Sequence, residues 1–135
     1  MDRFSTLDAA ASGMSANRMW LDIIAANMAN AQTSVDPGED GYRAQRPIFQ
    51  AMVDEEMKVC GVTIDRFEQS QEDCRQEYIP GHKQADENGM VTFSNVNVMH
   101  EMADMLVAQR AFEANATVFE SAKDGAMRLI QLLQA

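Results

Sequence analysis

The stretch VMHEMADMLVAQRAFEANATVFESAKDGAMRLIQLL, residues 98–133, decides how the chain is read. Val98, Met102, Met105, Gln109, Phe112, Ala116, Phe119, Lys123, Ala126, Ile130 and Leu133 recur three or four residues apart, and all but Gln109 and Lys123 are apolar. An average step of about 3.5 residues is the seam spacing of a helix that meets another helix. Asn97 suits the N-cap, Glu101 the positive end of the helix dipole and Arg128 the negative end. A second series runs along residues 1–30: Phe4, Leu7, Ala11, Met14, Arg18, Leu21, Ala25 and Met28. Ser5 with Asp8 resembles a capping box at its start. The helix signal fades after Asn30, where Thr33, Ser34 and Pro37-Gly38 follow.

Length turns this pattern into an architectural expectation. At 1.5 Å per residue, residues 96–134 span ~58 Å and residues 3–30 span ~42 Å. A compact globule of 135 residues has a radius of gyration of only ~14 Å. Such helices cannot wrap around one core of this chain. They are expected to pair with each other and to bury their remaining stripes against copies or relatives.

The middle reads differently. All three prolines and five of the seven glycines lie in residues 31–95, so regular helix is not expected there. Residues 59–67 (VCGVTIDRF) are partly alternating and β-branched, and residues 90–94 follow an Asn88-Gly89 turn signal. Residues 69–77 read as an edge strand or a loop, and residues 32–41 as a flexible connection. The expected fold is mainly α with a small β-containing middle. Residues 1–30 form an N-terminal axial helix, residues 31–95 a loop and small β region, and residues 96–135 a C-terminal axial helix. The two long helices pair as a coiled-coil-like inner layer under a short β-hairpin-type outer segment.

Charge and composition exclude several functions. The formal net charge is -10, most of it in the middle. A surface that acidic repels phosphate backbones and anionic lipid, and no Lys or Arg run offsets it, so no nucleic-acid partner is expected. The longest stretches without a charged residue, 23–35 and 88–100, are 13 residues each, whereas a spanning helix needs ~20 apolar residues, so no direct membrane insertion is expected. Asp8 interrupts any apolar run at the N-terminus, which predicts no cleaved signal peptide. The default location is then cytoplasmic, unless export uses a signal that is not cleaved. Cys60 and Cys74 are too few for a disulfide scaffold.

Chemistry is sparse. His82, Asp86 and Glu87 lie near one another in sequence, but no CxxC, HExxH, DxDxDG or GxSxG pattern occurs. A turn-rich loop explains them without a metal. No enzyme activity, catalytic residue, metal or cofactor is expected. Met99, Met102, Met105 and Met127 read either as a soft binding surface or as ordinary filling of helical seams. Gly13 and Gly125 lower helix propensity; each reads either as a tolerated surface residue or, as the preferred reading, as a place where a neighbouring helix approaches closely. Arg18, Gln109 and Lys123 interrupt the two apolar series and face a polar seam, solvent or the inside of an assembly of copies.

Two terminal motifs carry a resemblance. Residues 11–16 (ASGMSA) followed by residues 21–33 (LDIIAANMANAQT) resemble the N-terminal signature of bacterial flagellar rod and hook proteins. Residues 95–98 (NVNV), 101–105 (EMADM) and 108–115 (AQRAFEAN) resemble their C-terminal signature. In the middle, residues 41–43, 47–51, 78–82 and 86–91 resemble the proximal-rod members of that family. Residues 69–75, with Cys74, depart from the pattern at a segment expected to carry a proline.

The resemblance implies a structural subunit of the flagellar basal-body proximal rod, in the periplasm, polymerising helically around the export channel as part of a drive shaft. Implied partners are other copies of the chain, other proximal rod proteins, the distal rod protein and the flagellar type III export apparatus, which exports it without a cleaved signal. The residues expected at subunit contacts are Leu7, Met14, Leu21, Ile24 and Met28 on the first helix, and Met102, Met105, Phe112, Phe119, Ile130 and Leu133 on the second. Family-motif positions are Ser12, Gly13, Asn27, Asn30, Thr33, Asn97, Arg110 and Asn115. The alternative reading is a helical partner-binding or chaperone-like module that never polymerises.

Overall fold

A computed structural model describes residues 3–134 of the chain, with side chains from Thr6 onward. The expected contributions of Phe4 to the apolar stripe and of Ser5 to a cap rest on side chains outside those described. Two long helices, α1 (Arg3–Ala29) and α2 (Val98–Gln134), enclose in sequence a set of short strands. These are β1 (Ser34–Val35), β2 (Gln45–Val53), β3 (Val59–Gln69), β4 (Gln76–Tyr78) and β5 (Met90–Phe93).

Both helix ends at the junction are closed by asparagine. Asn30 donates its side-chain amide to the Ala26 carbonyl at 2.8 Å, and Thr33 N–H then bonds the Asn30 carbonyl. Asn97 accepts from the Met99 and His100 N–H groups at 3.0 and 3.3 Å, satisfying orphan donors of α2. That cap sets the helix start at Val98, the first residue of the apolar series and two residues inside the expected segment 96–135.

The strands form two small antiparallel sheets. One has the order β1-β5-β4, with Ser34 opposite Phe93 and Gln76 opposite Thr92. Residues 32–41 are therefore not merely a connection, because Ser34 and Val35 pair with β5. The other sheet pairs β2 with β3, with irregularities at Ile48/Phe49 and Met52/Val53. Its turn is organised by the Asp54 carboxylate, which accepts from Glu56 and Lys58 N–H, and Met57 takes a left-handed φ of 62° there. No periodicity marks β2 in advance, since Pro47 interrupts it and its outer half is solvated on both faces. Residues 70–75 are loop, pinned where Arg43 donates to the Ser70 and Glu72 carbonyls.

The core is made of small residues. Ala10, Ala16, Ala31, Ala44 and Ala108 are buried, and Ile24 and Val91 are the large apolar side chains fully enclosed. Small side chains let backbones approach closely. A Cβ at Gly13 would stand 2.7 Å from Asn115 Nδ2 on α2, and one at Gly61 would stand 2.5 Å from Ser12 Oγ on α1. Ser12 uses that proximity to accept from the Val62 N–H at 3.1 Å, docking β3 on α1. Trp20 and Phe49 meet edge to face at 5.6 Å and dock β2 on the same helix. Among the described residues, a Cβ at Gly125 would meet nothing within 4 Å, so no close approach like that at Gly13 is described there.

These two glycines should respond in opposite directions. Gly61→Ala forces a methyl into Ser12 and is expected to destabilise the chain by roughly 1–3 kcal/mol, as overpacking does. Gly125→Ala relieves the helical glycine penalty and is expected to stabilise by up to about 1 kcal/mol. Chemical denaturation of the purified protein measures both.

Candidate assembly interface

Where α1 ends, α2 begins and β2 departs, one buried side chain holds three elements together. Asn27 is 1% exposed. Its amide nitrogen donates to the Gln45 carbonyl at 2.8 Å and to Glu101 Oε2 at 3.1 Å. Its amide oxygen accepts from the Gln45 N–H and the Tyr42 hydroxyl, both at 3.0 Å. Two donors and two acceptors are therefore all matched, the full capacity of a primary amide. Asn27 meets the start of β2 as a neighbouring strand would, while tying α1 to α2.

A second layer surrounds it. Asn95 accepts from the Ala44 N–H at 2.7 Å and donates to the Glu72 carbonyl at 2.9 Å. Ser94, buried, donates to the Ala31 carbonyl and accepts from the Val96 N–H. Ala31, Ala44 and Val96 close the apolar side, with Tyr42 packed against them.

Burial pushes the Glu101 carboxyl above the usual carboxylate range, and Asp104 adds to that. The Asn27 hydrogen bond, Arg46 and His100 act in the opposite direction. Burial, followed by the Glu101 charge, raises the Tyr42 hydroxyl, which keeps it a donor to Asn27. The sequence assigns Glu101 only to the helix dipole. Its buried partnership with Asn27 is 74 residues distant in the chain and has no local signal.

The residues expected at subunit contacts separate into three groups. Leu7, Met14, Leu21, Met28, Met105, Phe112 and Phe119 are half-buried along the helix pair, while Met102, Ile130 and Leu133 are exposed. Ile24 is 1% exposed. It lies in the chain's own core, because its turn of α1 is enclosed on the junction side, and it offers no surface to a neighbour. The family-motif positions are chiefly architectural. Ser12 and Gly13 set close approaches, Asn27 fills the junction, Asn30, Thr33 and Asn97 close helix ends, and Asn115 lies over Gly13. Arg110 is exposed, as are Arg18, Gln109 and Lys123.

The surface outside the junction is large for the mass. The chain exposes 9602 Å², whereas a compact monomer of its size exposes about 7,000 Å². Among the described residues, no three His, Cys, Asp or Glu side chains gather as a metal site, and no helix is long and apolar enough to cross a membrane. Cys60 and Cys74 are free thiols.

Two substitutions test the junction. Asn27→Ala leaves buried donors and acceptors unmatched and is expected to cost about 3 kcal/mol, each such group being worth roughly 1–3 kcal/mol. Glu101→Gln keeps an acceptor for Asn27 without the buried charge. A carboxyl raised in the folded state contributes fully below its ordinary pKa and loses that contribution as pH rises through the raised value. The stability of Glu101→Gln relative to the parent should therefore increase from acid to neutral pH. Denaturant titrations across that range measure the difference.

Comparison with known proteins matches both ends of this architecture. A sequence model for the flagella basal body rod protein family matches residues 7–34, and one for the flagellar basal body rod FlgEFG protein C-terminal region matches residues 87–132. The flagellar basal-body rod protein FlgC of Agrobacterium fabrum is 39% identical over 93% of this chain and 91% of its own length. FlgC of Borreliella burgdorferi is 33% identical over 99% of both chains, and FlgC of Salmonella typhimurium is 31% identical over 99% of this chain and all of its own. With the termini, the capped junction and the whole length accounted for, the chain belongs to the flagellar basal-body rod protein FlgC family.

Proposed function

We propose that this protein is a structural subunit of the proximal rod of the bacterial flagellar basal body, assembling helically with its own copies and with related rod proteins. The carrying observation is the mismatch between fold and surface. A two-helix pair with a small alanine-rich core leaves about 2,600 Å² more surface than a compact monomer of this size, enough for several standard contacts of about 800 Å² per partner. Family membership supplies the context, since the relatives are basal-body rod proteins.

In this reading residues 1–30 and 96–135 form the inner axial layer, with coiled-coil-like packing repeated between subunits, and residues 31–95 face outward. Long stiff helices joined by a saturated polar junction transmit torque without bending at the joint. The protein reaches the periplasm through the flagellar type III apparatus without a cleaved signal, and it meets the other proximal rod proteins and the distal rod there. No catalytic step or cofactor is assigned. The half-buried and exposed positions Leu7, Met14, Leu21, Met28, Met102, Met105, Phe112, Phe119, Ile130 and Leu133 supply contacts between subunits.

Imaging basal bodies from a deletion strain separates this function from a non-polymerising helical partner or chaperone. Loss of the rod supports it, and an intact rod overturns it. Met102→Asp gives a finer test. On the exposed surface it should change isolated-chain stability by no more than about 0.5 kcal/mol. In a desolvated seam between subunits the same charge costs several kcal/mol. The variant is expected to be made and folded normally yet absent from isolated basal bodies.

A further inference from the structure

Of the asparagines in the chain, Asn88 is the one followed by glycine; the others precede arginine, methionine, alanine or valine. In an Asn-Gly pair no Cβ on the second residue hinders its nitrogen from reaching the asparagine side-chain carbonyl carbon. The glycine nitrogen gives up its proton and bonds Cγ, and Nδ2 leaves as ammonia, closing a succinimide ring. Water then opens either carbonyl of the ring. One product is aspartate. The other is isoaspartate, in which the main chain runs through the former side chain and is longer by a methylene. Asparagine plus water gives the acid plus ammonia, so the step needs neither oxidant nor catalyst.

The folded turn opposes that step at the attacking atom. Gly89 N–H donates to the Asp86 carbonyl at 3.0 Å, and the Gly89 carbonyl accepts from the Ile79 N–H at 2.8 Å. Gly89 is buried and held at a φ of 77°, with the Tyr78 ring and Pro80 against the place where a Cβ would stand. A nitrogen fixed in this way is not aligned on Cγ, and cyclisation depends on that alignment. Charge acts in the same direction. The Asp86 carboxylate accepts from the N–H groups on either side, Asn88 and Met90, both at 2.8 Å. A negative charge beside the Gly89 N–H disfavours loss of its proton. Asn88 itself is exposed, so water has access and the geometry alone holds the reaction back. The product, in turn, does not fit the fold. Tyr78 pairs with Met90, Glu77 with Val91 and Gln76 with Thr92, and Asp86 N–H bonds the Met90 carbonyl at 2.9 Å. An extra methylene before Gly89 lengthens one arm of this turn and displaces either the Gly89 bonds or the fully buried Val91.

We propose that Asn88-Gly89 is a modification site gated by folding: isoaspartate forms at residue 88 in the unfolded chain, the native Asp86–Gly89 turn suppresses it, and a chain that has acquired it cannot rebuild the pairing of β4 with β5. The site withdraws chains that stay unfolded too long. It does not depend on the rod-subunit reading.

Ageing of the purified full chain tests it. The parent, Tyr78→Ala, Asp86→Asn and Asn88→Gln are incubated at mildly alkaline pH in native buffer and in urea, and isoaspartate is located by peptide mass and isoaspartyl methyltransferase labelling. Location matters because Asp40-Gly41 and Asp124-Gly125 can form the same linkage without releasing ammonia. A closed turn reacts only in the fraction of time it is open, so the parent is expected to deamidate at residue 88 at least about tenfold more slowly in buffer than in urea. Tyr78→Ala removes an exposed side chain that covers Gly89, and Asp86→Asn keeps an acceptor but removes the charge. Each should raise the rate in buffer and leave the rate in urea near the parent's, while Asn88→Gln gives no product there. Equal parent rates in buffer and urea overturn the gate, as does failure of both variants to speed the reaction in buffer. No isoaspartate at residue 88 in urea overturns the site. On refolding of aged parent, modified chains should be confined to the fraction without slow amide exchange across residues 89–93; modified chains with that protection overturn the block to refolding.

Discussion

The fold depends on one fully matched amide. Asn27 joins the end of α1 to the start of β2 and to Glu101 on α2, so that three elements arriving from different parts of the chain share one fixed point. In a buried, low-dielectric setting such hydrogen bonds are strong when complete and costly when any member is lost. Complete satisfaction therefore gives the junction a single arrangement rather than a sliding apolar contact. The direction in which the helix pair leaves the β region follows from it.

Everything beyond that point is built by close approach. Alanine fills most of the buried apolar positions, and Gly13 and Gly61 admit Asn115 and Ser12 where any side chain would collide. Such a core gives up hydrophobic volume for proximity, and hydrophobic stabilisation scales with the apolar area removed from water. Large apolar side chains are instead distributed along the outside of α2 and at its far end, where Leu132 and Leu133 are among the most exposed residues. In the proposed assembly, a chain arranged this way completes its apolar packing with neighbours. A fold of this kind suits a subunit whose stability in place comes from being surrounded.

The polar junction and the apolar surfaces divide the work. Within the subunit, the hydrogen bonds of Asn27 with Tyr42 and Glu101, and those of Asn95 and Ser94 with the backbone of Ala44 and Ala31, fix geometry. In the proposed rod, non-directional burial between subunits supplies adhesion along long helices that can repeat the same contact many times. A rod that turns under load needs both: shape set internally by directional bonds, and cohesion summed over many modest contacts.

Much of this was legible in the sequence, because helical periodicity and capping are local properties. The alternation of apolar residues at three- and four-residue steps marked both helices, Asn97 marked the start of the second, and the Asn88-Gly89 pair marked the turn before β5. The terminal motifs pointed to the rod and hook family for the same reason, since they are contiguous. Other features were decided by tertiary structure alone. The pairing of Ser34 and Val35 with β5, the strand β2, the burial of Ile24 and the partnership of Asn27 with Glu101 join residues far apart in the chain. Periodicity reports which face of a helix is apolar, but not what covers that face. Gly13 and Gly125 have the same local sequence meaning, yet one is packed under Asn115 while, among the described residues, nothing stands within 4 Å of a Cβ at the other. The physical reason is that no local pattern encodes the register of the two helices, and that register decides what stands opposite each glycine.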